Sequence, residues 1–169
     1  MPAFPRQPVT QHGTIVLGGT FEVPAARLYA AISDPLERAL IGTLGDDHVM
    51  LIDESDLRVG GRDFYRFGLK GAPAFRAEAI FHQVVPQSLI VATEIVHSGE
   101  ICIAVDLVSL VLEEHAGATD LRLTAQSLSL CPDEDLVDAA GARHQAFIDA
   151  LARHLGTPGR DRRRPLSRR

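Results

Sequence analysis

This sequence has no tryptophan, only two cysteines and a single lysine, Lys70, in 169 residues. Cys102 and Cys131 cannot make a disulfide framework, which excludes a stapled secreted scaffold and suits a reducing compartment. No apolar run approaches the ~18 uninterrupted residues of a membrane span. The Pro-rich start, Met1 to Gln11, has no apolar stretch of the signal-peptide kind. The expected setting is cytoplasmic. Seven histidines lack metal-ligand spacing, and nothing resembles a phosphate-cradling loop or a nucleophile elbow, so no metal and no cofactor are expected.

Nine aromatic residues without interleaved basic ones make a poor base-stacking surface. Six arginines lie between Arg160 and Arg169 against the single Asp161, so the rest of the chain carries a net charge of about −10. Such a body repels nucleic-acid phosphate, and no nucleic-acid partner is expected. What is present is ordinary for a globular protein: 46% hydrophobic and 23% charged residues, enough for one domain with a real core. The expected divisions are a loose N-terminal arm (1–13), one domain (14–156) and a basic, disordered tail (157–169).

Periodicity supplies the elements. Thr14 to Val23 alternates as a half-buried strand, and Leu28, Ala31 and Ile32 fall at helical spacing until Asp34-Pro35 breaks the helix. Leu36 to Leu40 supports a second short helix. His48 to Ser55 is a weak strand. Arg62 to Gly68, Phe75 to Val85, Leu89 to Val96, Ile101 to Glu114 and Leu121 to Leu130 then read as consecutive strands, with turn chemistry at Pro86-Gln87-Ser88 and Ser98-Gly99. Pro132-Asp133-Glu134-Asp135 suits a helix start, and Leu136, Ala140, His144, Phe147, Leu151 and Leu155 follow one helical face, with Arg143 elsewhere on the wheel. The predicted architecture is α+β: a curved antiparallel sheet wrapped around a long C-terminal helix, with two short helices after the first strand.

Four of these segments, in this order, resemble the START-like, Bet v 1-like (SRPBCC) superfamily, in particular the branch related to the activator of heat-shock-protein ATPase. They are Phe21-Glu22-Val23-Pro24-Ala25 with Leu28 to Pro35, the entry Asp56-Leu57-Arg58-Val59-Gly60-Gly61-Arg62, the hairpin Val84-Val85-Pro86 with Leu89-Ile90, and the last helix. The resemblance runs from about Thr14 to Leu155 and implies a helix-grip fold, which usually encloses a cavity. Members commonly carry tryptophans after the Asp-Pro break, at the Gly-Gly strand and in the last helix. Here Leu40-Ile41-Gly42, Asp63 and His144 stand in those regions, which implies a roomier or more polar cavity.

Alternation places Asp63 with Tyr65 and Phe67 on a face looking into the grip. A carboxylate there needs a partner, cavity water or a proton, unless a bulge turns it to solvent. His144 on the apolar stripe is either a ligand or proton-transfer group or a satisfied core residue. Asp106, in phase with Ala104, Val108 and Leu110, is a third inward candidate. With Phe81, Val91, Leu123 and Phe147 these residues form the expected site: an apolar pocket with a polar patch. Glu113-Glu114 and Asp46-Asp47 read as solvated turn charges.

The strand from Ile101 is apolar on both faces, with Ile101, Ile103, Val105, Leu107 and Val111 on one and Ala104, Val108, Leu110 and Leu112 on the other. A one-layer sheet needs one apolar face, so a homodimer through Ile103, Val105 and Leu107 is expected. The functional expectation is a binding protein or carrier for a small apolar or amphipathic molecule. The alternatives are an enzyme of the polyketide-cyclase or small-hydrolase kind using Asp63 and His144, and a protein-binding regulator of the kind the resemblance implies.

Overall fold

The alternating run expected from Thr14 begins at Gln11, because Gln11, His12 and Gly13 already pair with Ser129, Leu128 and Ser127. The computed structural model describes residues 10–43, 45–131, 136–156 and 160–161. Its elements run β1 (Gln11–Phe21), α1 (Ala25–Ser33), α2 (Pro35–Ile41), β2 (His48–Ser55), β3 (Arg62–Leu69) and β4 (Ala72–Val85). They continue β5 (Leu89–Ser98), β6 (Ile101–His115), β7 (Ala118–Ser129), α3 (Leu136–His154) and the two-residue β8 (Arg160–Asp161). Seven antiparallel strands form a curved, unclosed sheet in the order β2-β3-β4-β5-β6-β7-β1, with β8 added beside β1. With three helices among the described residues, the last of them C-terminal to the sheet strands β1–β7, this is the α+β helix-grip architecture that the periodicity predicts. The acidic segment 132–135 lies outside the described residues, as do the arm through residue 9 and most of the arginine tail; Arg160–Asp161 pairs with Gly19 and Thr20.

Local chemistry explains the helical clip between β1 and β2. The Asp34 carboxylate accepts hydrogen bonds from the backbone N–H groups of Leu36 and Glu37, at 2.8 and 3.0 Å, and Pro35 supplies the first helical residue. Helix α1 is capped from across the fold: the Ala25 N–H donates to Glu114 of β6 at 2.7 Å. Glu114 is thus a helix cap as well as a surface charge, a role that chain position alone does not disclose. Glu37 accepts from Arg27 of α1 at 2.8 Å and bonds His154 of α3 at 2.6 Å, so one carboxylate links all three helices.

Helix α3 packs on β1 and β7. Its Ile148 and Leu151 enter the main core with Phe21, Leu28, Phe81 and Leu121. The Gly-Gly entry to β3 is a tight turn, as its composition predicts: Gly60 has φ +77, and a Cβ on Gly61 would stand 2.0 Å from the Asp56 carbonyl oxygen. That turn brings the Asp56 N–H to the Asp63 carboxylate at 3.3 Å.

The pairing of β5 with β6 passes from Val96 opposite Ala104 to His97 opposite Cys102, which leaves Ile103 as the additional residue of a bulge. Ile103 is therefore buried on the inner side with Tyr65, Ala77 and Val96, a correction to its expected outward position. Val105 remains outward, in a cross-strand row between Ile95 and Leu128, and Leu107 is 41% exposed.

Candidate functional site

Between the inner face of the sheet and α3 lies a cavity of about 180 Å³. The inward parities of β3, β4 and β5 supply Asp63, Tyr65, Phe67, Ala79, Phe81, Ile90, Ala92 and Glu94. Val108, Leu110 and Leu123 close the far side, Ile32 and Arg38 come from the helical clip, and Arg143, His144 and Phe147 descend from α3. The wall is mostly apolar, with polar groups from α2 and β2 (Arg38, His48) as well as from β3, β5 and α3.

Of the residues that the sequence singles out, Asp63, Tyr65, Phe67, Phe81, Leu123, His144 and Phe147 line this space. Asp106 is inward and 1% exposed but reaches the cavity only through Arg143. Val91 does not belong here. On β5 it is Ile90, Ala92 and Glu94 that line the cavity, so Val91, one residue out of phase, lies on the outer side.

Three residues not predicted from the sequence organise the polar side. Arg38 of α2 pairs with Asp63 at 2.5 Å. Arg143 donates from Nη2 to Glu94 at 3.0 Å and to Asp106 at 3.2 Å. The Tyr65 hydroxyl donates to the other oxygen of Glu94. Arg143 also stands 5.4 Å from the centroid of the Phe67 ring, within cation–π range, and Phe67 stacks on Phe75 at 5.3 Å. Glu94 is the lone charge in phase with Ile90, Ala92 and Val96, but both phases of β5 are apolar, so the pattern does not show that it points inward. Arg143 borders the apolar stripe, three residues after Ala140 and four before Phe147, a correction to its expected place elsewhere on the wheel and a spacing that could have marked it.

Burial decides the charge states. It pushes the Asp106 carboxyl above the ordinary aspartate value, with Ser127 and Arg143 holding it back. Burial opposes the Arg143 charge, but Glu94, Tyr65 and Asp106 outweigh it and raise the guanidinium's pKa. The Tyr65 hydroxyl is driven well above its usual range by burial and then by Glu94, so it stays a donor. His144 is 9% exposed, and burial, reinforced by the Arg143 charge, brings its pKa down to about 4. Its ring is neutral at physiological pH, and Nε2 is buried without a hydrogen-bond partner.

Among the described residues no three His, Cys, Asp or Glu side chains gather as metal ligands, and no helix is long and apolar enough to cross a membrane. Cys102 and Cys131 are unpaired thiols.

The fold has known counterparts. A protein from Rhizobium leguminosarum superposes with a TM-score of 0.75 at 20% identity, over 88% of this chain and 97% of its own. One from Chromobacterium violaceum gives 0.73 at 20% identity, over 86% and 99%. DynU16, a protein in the dynemicin biosynthetic locus, gives 0.63 at 16% identity, with 86% of this chain matching 48% of that longer one. No curated protein matches the sequence. The family model described as Activator of Hsp90 ATPase homolog 1-like protein matches residues 22–156, spanning the helical clip, the Gly-Gly turn, the cavity strands and α3, and the chain belongs to that family.

Proposed function

We propose that this protein binds or carries a small apolar or amphipathic molecule in the cavity under α3. The observation that supports this most is a mostly apolar space of about 180 Å³ whose wall carries a buried, unpartnered histidine nitrogen beside the ion-paired side chains of Asp63, Glu94, Arg38 and Arg143. Specific small-molecule sites have this composition, an apolar lining with few convergent polar groups. Asp63, Tyr65, Phe67, Phe81, Leu123, His144 and Phe147 are the proposed contacts, with Arg143 and Glu94 added and Asp106 acting from behind Arg143. The cytoplasm suits its two unpaired thiols. A homodimer over the outer sheet face, through Val105 and Leu107, belongs to the same reading.

The enzymatic alternative, with Asp63 and His144 as acid and base, has weaker support. One Asp63 oxygen is held by Arg38 and the other accepts from the Asp56 N–H, so the carboxylate is already committed. The regulator alternative draws on the family description, and its signature would be a chaperone partner instead of a guest.

A thermal-shift screen of fatty acids, flavonoids, sterols and polyketides tests the proposal. A ligand at a hundred times its dissociation constant stabilises by about 2.7 kcal/mol. At roughly 2–4 °C per kcal/mol, the melting point rises by about 5–11 °C. Silence across every apolar class, with a chaperone recovered instead, would overturn the carrier reading.

A further inference from the structure

We propose that the cavity selects an uncharged, hydroxyl-bearing molecule with about one ring's bulk inside it, and that His144 is the residue that recognises the hydroxyl. This deepens the ligand-binding reading and rests on it.

The charged groups of the wall are mutually compensated. The two Asp63 oxygens are taken by Arg38 and the Asp56 N–H, and the two Glu94 oxygens by Arg143 and the Tyr65 hydroxyl. Arg143 in turn faces two carboxylates, Glu94 and Asp106. A carboxylate or phosphate guest would therefore meet two guanidiniums, Arg38 and Arg143, that already face the carboxylates of Asp63 and Glu94. An ammonium guest would meet carboxylate oxygens that are already bonded. Desolvating either ion without a dedicated partner is costly.

His144 is the exception. It lines the cavity, is nine-tenths buried, and its Nε2 lacks a partner; Asp106 Oδ1 and Ser127 Oγ are also buried without one but are not part of the lining, and His48, the other imidazole of the wall, bonds the Asp47 carboxylate. A neutral imidazole offers one donor and one acceptor, and which nitrogen carries the proton depends on its surroundings. A hydroxyl can donate or accept, so it satisfies either tautomer. A carbonyl or an ether can only accept. Size sets the other limit: a cavity of about 150 Å³ admits benzene, so about 180 Å³ holds one substituted ring.

The test uses the full chain at neutral pH with matched probes: ethylbenzene, para-ethylphenol, its methyl ether, para-ethylbenzoate and para-ethylbenzylammonium. Affinities come from calorimetry, and the His144 ring signals are followed by NMR. We expect the phenol to bind about three- to tenfold more tightly than the ether, the two ions to bind more weakly than ethylbenzene, and the His144 signals to respond to the phenol most strongly. His144→Phe should abolish the phenol's advantage while ethylbenzene still binds; His144→Gln, which keeps a donor and an acceptor, should retain part of it. Should either variant fold poorly, the wild-type affinity order and NMR response decide alone. Equal binding of phenol and ether, or preferential binding of either ion, would overturn the proposal and leave the ligand-binding reading standing. Silence of every probe, ethylbenzene included, would overturn both.

Discussion

Arg38 on α2 and Asp63 on β3 stand 2.5 Å apart, an ion pair that forms part of the cavity wall and ties the helical clip to the sheet. Asp63 is 3% exposed, so its charge depends on that partner and on the Asp56 N–H. Arg38→Met should cost about 3–5 kcal/mol in urea unfolding, because it leaves a buried carboxylate without its cation. Adding Asp63→Asn to Arg38→Met should recover most of the loss. A single-variant cost under about 1 kcal/mol would mean that Asp63 is satisfied without Arg38.

The fold was legible because its signals are local and repeated: period-two runs bounded by turn residues, an Asp-Pro break with its own cap, and one long helical stripe. The cavity lining was legible where a strand has one apolar face. On β3 the alternation of Asp63, Tyr65 and Phe67 places all three in the wall. On β5 both phases are apolar, Leu89, Val91 and Ile95 against Ile90, Ala92 and Val96, so pattern alone does not choose between them, and Val91 lies outward against expectation. Ile103 departs from its expected side for a different reason: a bulge adds a residue, and nothing in a single strand's sequence marks where the partner's register shifts. Arg38, Glu94 and Arg143 are not expected in a cavity wall, because long charged side chains default to solvent. Only tertiary contact shows that they compensate one another.

With Ile103 turned inward, the homodimer proposal rests on Val105, between Ile95 and Leu128, and on Leu107. Sedimentation of the wild type at high concentration should give twice the chain mass, and Val105→Lys should return it to the monomer, since a lysine in the centre of an isologous face is met by its own symmetry mate. If both variants sediment as monomers, the outer row is merely a tolerated apolar surface.

His144 should make stability pH-dependent in a definable window. Its folded pKa, about 4, lies below the unfolded histidine value, which is about 6.5. The unfolded chain therefore takes up the proton first, so the contribution is complete above about pH 6.5 and is lost as pH falls toward 4. The full loss is on the order of 3 kcal/mol. Asp106 runs the other way: its raised pKa gives a contribution present at low pH and lost as pH rises through the folded value. Arg143 and Glu94, the charges acting on His144, remain in both proteins when wild type is compared with His144→Gln, and the Asp106 contribution largely cancels. The difference between the two stability curves should shrink steadily from pH 6.5 to 4.5. A difference that stays flat over that interval would mean His144 is solvated.

Leu151 and Phe147 lie one turn apart on α3 yet should respond differently to truncation. Leu151 is 0% exposed and belongs to the main core, so Leu151→Ala should cost about 2–5 kcal/mol. Phe147 is half-buried, with part of its ring facing the cavity. A fully buried phenylalanine loses about 3–5 kcal/mol on truncation to alanine, and Phe147→Ala should lose less, about 1–3 kcal/mol, since the ring has fewer packing partners to forfeit. The same change should enlarge the cavity. Thermal shifts with ethylbenzene and naphthalene check this directly: naphthalene should gain relative to ethylbenzene in Phe147→Ala, and the ratio should be unaltered in a second variant outside the wall, Leu112→Val. If Phe147→Ala is as costly as Leu151→Ala and the size preference does not move, then Phe147 acts as core and not as wall, and the space under α3 is bounded by other residues.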